Sequence, residues 1–170
     1  MCYKEQLSIL EQQEQRLRFP HFTADDALQL GLCLIDEARE RGVCPAFSIR
    51  LSNGFTVFQY GFQGTGLDHQ NWMRRKERTV AVKMMSTLRC ACLLASTGAD
   101  LQADWFLDPM EYSVCGGGFP IYVESVGMIG VILASGISIY DDHDVIIGGL
   151  CRYFGCNDVP RLSEDTVKGC

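Results

Sequence analysis

Gly116-Gly117-Gly118-Phe119-Pro120-Ile121-Tyr122-Val123 is the stretch on which the reading of the fold turns. Three consecutive glycines lose more backbone freedom on folding than any other triplet. A chain therefore keeps them where φ is positive or where another part of the molecule comes close. The residues that follow read as a strand over 119–124, with a turn at Ser125-Val126-Gly127 and a second strand over 128–134. The glycines can serve as bare backbone beside a ligand, or as a bulge or tight approach to the strand.

Upstream, residues 46–51 alternate as a strand, Ser52-Asn53-Gly54 is a hairpin turn signal, and 55–60 return as the partner. Helices surround the two hairpins. The first covers 4–16 and is broken by Phe19-Pro20-His21-Phe22. Thr23 caps the second, Asp25 and Asp26 sit in its first turn, and Gly42 ends it. A long third helix is expected from Asp68 to about Ser96, with Ala81, Met85, Leu88, Cys92 and Ala95 on one face. A short helix is expected around Asp104-Trp105-Phe106-Leu107, and a last one over 140–154. The order α-α-β-β-α-β-β-α implies an α+β domain, an antiparallel sheet flanked by helices, over residues 1–156. Residues 157–170 read as a polar, loose C-terminal tail.

The 170 residues suffice for one core without disulfides or metal. A net charge of −6 argues against a general nucleic-acid binder. No apolar run reaches the ~18 residues of a membrane span. The nine cysteines are odd in number and form no CxxC pair, and Met1-Cys2-Tyr3-Lys4-Glu5-Gln6 has no signal-peptide pattern. A reduced, cytoplasmic protein is expected, with Cys33, Cys90, Cys92 and Cys151 as small core residues.

Three segments carry chemistry. Asn71-Trp72-Met73-Arg74-Arg75-Lys76-Glu77-Arg78 places four cations near a helix start, against the dipole. They meet an anion from a ligand or a second subunit, or they are a solvated helix face. The triple glycine is the second segment. Cys115 precedes it, but no histidine adjoins it in sequence to activate a nucleophile. The third is Asp141-Asp142-His143-Asp144, whose histidine is either structural or a metal or haem ligand. It has no i,i+4 histidine partner, and His21 and His69 stand isolated in sequence. No nucleophile elbow, dinucleotide fingerprint or zinc spacing is present, so no catalytic residue and no metal set is assigned.

Asn71-Trp72-x-x-Arg75-Lys76, Gly117-Gly118-Phe119-Pro120-Ile121, Gly127-x-Ile129-Gly130, Ser135-Gly136 and Asp142-His143 together resemble the haem-degrading-domain (GlcG/HbpS-like) superfamily. Leu10-Glu11-x-Gln13-Glu14 is similar to its branch of short single-domain proteins, and the resemblance spans residues 7–155. It implies a profilin-like α/β sandwich with a five-stranded antiparallel sheet, assembled as a homodimer or larger ring. Some members bind haem or iron, and others accompany corrinoid adenosyltransferase domains. Met85-Ser86 stands where this branch has a Ser-Ser pair.

The expectation is a homo-oligomeric protein binding a small anionic ligand, with haem or another tetrapyrrole suggested by the resemblance. Asn71, Trp72, Arg75, Lys76, Gly117, Gly118, Phe119 and His143 are the candidate ligand-binding residues. Two alternatives stand beside it. In one, a non-catalytic interaction protein uses the same residues at its subunit interface, with Arg75 or Lys76 paired to Asp141. In the other, the protein is a haem-degrading enzyme.

Overall fold

A computed structural model describes residues 2–162 of the chain. The elements follow in the order α1 (Tyr3–Arg16), α2 (Ala24–Arg41), β1 (Ala46–Leu51), β2 (Thr56–Gly61), α3 (Leu67–Lys83), α4 (Thr87–Thr97), β3 (Gly118–Val123), β4 (Gly127–Ser135) and α5 (Ile139–Phe154). The four strands form one antiparallel sheet in the order β2-β1-β4-β3.

Strand alternation divides the core. Phe47, Ile49, Phe119, Ile121, Ile132 and Ala134 face one side of the sheet with Leu30, Leu34, Ile146 and Leu150 of α2 and α5. Ala46, Val131 and Leu133 face the other side with Met73 and Val80 of α3. Phe47 and Phe119 are almost wholly buried, each contributing roughly 2 kcal/mol over an exposed ring. The result is the expected α+β sandwich, with α2 and α5 on one face and α3 on the other. α1 packs on α4 through Leu10, Leu88 and Cys92.

Among the described residues the sheet has four strands, not the five implied by the resemblance. Phe19 holds the position beside β3 where a fifth would lie. Its N–H donates to Tyr122 O at 2.8 Å and its carbonyl accepts from Glu124 N at 3.0 Å, making a single parallel bridge. Pro20 follows, with no N–H to continue a ladder. The short helix expected near Trp105 is instead a run of turns, where the Asp100 carboxylate accepts the N–H groups of Gln102 and Ala103.

The expected long helix is two helices, α3 and α4, bent by 69°. Met84 takes a left-handed φ of 54° and closes α3 through its N–H to Val80 O. Ser86 caps α4 by accepting Arg89 N at 3.4 Å. Glu14, buried on α1, accepts Ser86 N at 2.8 Å through Oε1 and Arg89 Nη1 at 2.7 Å through Oε2. The side chain that makes the break tolerable thus comes from seventy-two residues upstream.

The part of the expected tail within the described residues is packed. Val159 and Leu162 are buried, Pro160 O accepts from Gln13 Nε2 at 2.8 Å, and Arg161 makes paired hydrogen bonds to Asp144. Residues 163–170 of that tail lie outside the described residues. Among the described residues, no single helix is long and apolar enough to cross a membrane.

Candidate functional site

The three glycines sit where α3, α4, α5 and β4 converge, and each is required by what lies beside it. A Cβ on Gly116 would stand 1.9 Å from Ile139 O. On Gly117 it would meet Ala134 O at 2.4 Å, Asp142 Cβ at 2.8 Å and Lys76 Nζ at 2.9 Å, at a φ of 104°. On Gly118 it would meet the Thr87 methyl at 2.8 Å. The Thr87 hydroxyl accepts Gly118 N at 2.9 Å, and Gly117 O accepts Ala134 N at 2.8 Å. All three glycines are buried. Their function in the fold is close approach: bare backbone leaves room for a buried ion pair.

That pair is Lys76 and Asp142. Lys76 projects from the middle of α3 and is 2% exposed. Its Nζ donates to Asp142 Oδ2 at 3.0 Å and to Ala134 O at 2.8 Å. Asp142 Oδ1 accepts the N–H of Ile137 at 3.1 Å, which fixes the turn between β4 and α5. Both charges are compensated, as burial demands. An ammonium has three N–H donors, and two of Lys76's are spent.

Beside the pair lies a cavity of about 460 Å³, within the size range of small-ligand sites. Asp68, His69, Trp72 and Lys76 of α3 form one wall, and residues 135–139 with Asp142 form the other. Cys115 completes the lining. The first turns of α3 and α5 both border it, and helix N-termini carry partial positive charge. His69 sits in the first turn of α3, and its Nδ1 accepts the N–H of Gly66, the α3 cap, at 3.2 Å. In the neutral ring the proton is therefore on Nε2, the atom that approaches Gly136 on the cavity wall.

Of the residues anticipated from sequence, Trp72 and Lys76 line this cavity. Asn71 is exposed and accepts from Arg74 Nη2 at 3.2 Å. Arg75 lies over the Trp72 ring, 4.6 Å from its centroid, and its Nη2 donates to the carbonyls of Pro109 and Tyr112. Gly117, Gly118 and Phe119 stand behind the ion pair, not on the cavity wall. His143 points away into the core, 1% exposed, with Nε2 donating to Gln13 Oε1 at 2.9 Å and Nδ1 unpartnered. Burial lowers its pKa to about 4, so it is neutral near pH 7. Lys76 pairs within the chain with Asp142.

The sequence motifs leave His69 and Cys115 unassigned and offer Ser135-Gly136 only as a family marker, yet all of them line the cavity. His69 lies three residues before Trp72 and three after Gly66 at a helix start, a spacing that lets a side chain reach back to the cap. Among the described residues, no group of three or more His, Cys, Asp or Glu is placed to hold a metal ion.

The HbpS-like haem degrading protein family matches residues 22–151. A UPF0303 protein of Yersinia enterocolitica is 32% identical over 155 residues, covering 91% of this chain and 92% of its own. The solved structure of Ybr137w protein matches with a TM-score of 0.80 and 26% identity, over 86% of this chain and 87% of that one. A solved PduOC:heme complex matches with a TM-score of 0.65 over 84% of this chain and 99% of its own. At 18% identity that likeness concerns the fold alone.

Proposed function

From the premise that the chain belongs to the HbpS-like haem degrading protein family, we propose that it binds a small carboxylate-bearing molecule in the cavity between α3 and α5. The observation that carries this reading is Lys76, a buried ammonium bordering the cavity with one donor unspent. His69 Nε2–H and the first turns of α3 and α5 add donors around the same space. A ligand group that accepts hydrogen bonds matches such a set, and a carboxylate accepts from several donors at once. Trp72, Ile137 and Ile139 offer apolar surface for the body of the ligand. Asp142 already neutralises Lys76, so recognition rests on aimed donors more than on net positive charge.

Haem is the group that the family description brings forward. Neither His69 nor His143 fits it as an iron ligand. His69 accepts from Gly66 through Nδ1, which leaves Nε2 protonated and without a lone pair for iron. His143 has Nε2 on Gln13 and its other nitrogen sealed in the core.

The test is a binding screen with aromatic and aliphatic carboxylates, with haem in the same panel. It is read by unfolding temperature and by Trp72 fluorescence in a Trp105→Phe background. At least one carboxylate should raise the unfolding temperature and perturb Trp72, and His69→Ala should weaken both effects. Haem should give no histidine-ligated spectrum. The reading fails if no carboxylate shifts the protein, or if the shift survives His69→Ala undiminished.

A further inference from the structure

The C-terminus of α5 brings two cysteines together away from the cavity. Gly155 caps the helix in the left-handed conformation at φ 64°, and the N–H of Cys156 donates to Cys151 O at 3.0 Å. This is the six-residue bond of a Schellman cap, a motif frequently accompanied by side-chain contact between its two ends. Here those ends are Cys151 and Cys156. Both are partly buried and pack on the same apolar cluster. Disulfides need α-carbons about 4.4–6.8 Å apart and facing Cβ vectors, conditions that a cap of this kind brings within reach. Arg161, held by Asp144, sets its positive charge where it favours the Cys151 thiolate. Against that, burial pushes the Cys151 thiol up to about 11, so the pair rests as two thiols near neutrality. Among the described cysteines, only this pair closes a helix cap.

We propose that Cys151 and Cys156 form a reversible intrachain disulfide across the α5 cap when the protein meets a small-molecule disulfide such as oxidised glutathione. One thiolate attacks the small disulfide, forming a mixed disulfide and releasing one small thiolate. The second protein thiol, at the other end of the cap, loses its proton to solvent and attacks the protein sulfur. The Cys151–Cys156 bond forms and the second small thiolate leaves. The protein loses two electrons, the reagent gains two, and excess small thiol reverses both steps.

The experiment uses the full chain, reduced and then equilibrated with mixtures of reduced and oxidised glutathione. Free thiols are trapped by alkylation, and the protein is digested with chymotrypsin, which cleaves after Tyr153 and Phe154 and so separates the two cysteines. The expected result is a linked pair of peptides carrying Cys151 and Cys156. It should be the dominant cross-link, vanish in Cys156→Ser, and be reversed by reduced glutathione. The wild-type measurement stands even if that variant folds poorly. Recovery of both residues alkylated, stopped as separate mixed disulfides, or joined to other cysteines overturns the proposal.

Discussion

Asp142 and Glu14 are built alike in two regions of the molecule. Each is a buried carboxylate that accepts one backbone N–H through one oxygen and one cation through the other. For Asp142 these are Ile137 N and Lys76. For Glu14 they are Ser86 N and Arg89. Each carboxylate fixes a break in the chain, one between β4 and α5, the other between α3 and α4. They differ in the cation. Arg89 spends its fork on Glu14 and Glu11. Lys76 keeps a donor and stands beside a cavity. A buried ion pair alone marks a structural junction, and a spare donor at an open space distinguishes a candidate site.

Breaking the pair at the cavity should have the largest effect. Lys76→Met leaves Asp142 buried without its cation and should cost about 3–5 kcal/mol, measured by urea unfolding. A cost within 1 kcal/mol would show that the pair is not the junction described.

Next in size is a pH effect from His143, which lies between the two regions and belongs to neither. The unfolded ring takes up a proton from about pH 6.5, the folded one only near 4. Between those values the unfolded state binds more protons, so stability falls as pH drops from about 6.5 to 4 and is unaffected above that window. The total loss should approach about 3 kcal/mol. His143→Gln should flatten this part of the stability–pH curve, and an unchanged slope would assign it elsewhere.

Glu14→Gln tests the other junction. It keeps an acceptor for Ser86 N but removes the charge facing Arg89, and should cost about 2 kcal/mol by chemical denaturation, without changing ligand binding. Loss of binding there would erase the contrast between the regions. The smallest effect on stability is expected for His69→Ala, within about 0.5 kcal/mol at a partly exposed position. Its effect on carboxylate affinity should be near tenfold, the weight of one hydrogen bond to a charged group, measured by calorimetry.

The hairpin turns, the α2 cap at Thr23 and the C-cap at Gly42 were legible because each is encoded within a few residues. The α3–α4 break was not, because Met84-Met85 are good helix formers and the groups that stabilise the break come from Glu14 and from Tyr122, whose hydroxyl donates to Met84 O. Lys76 and Trp72 were singled out from their position in a cationic segment. Their neighbour Arg75 was singled out on the same grounds, yet it holds the 109–112 loop. One residue along a helix turns a side chain by about 100°, and charge counting is blind to that rotation.

By itself, the sequence determined the α+β class, the two hairpins, the family and the place of the triple glycine before a strand. These rest on local backbone preference and short-range patterning. Only the tertiary structure decided that the glycines serve the Lys76–Asp142 pair, that His143 is sealed in the core, and that His69 borders the cavity. Those outcomes depend on which atoms of α3, β4 and α5 come within about 3 Å, the range of a hydrogen bond. No spacing along the chain states that distance.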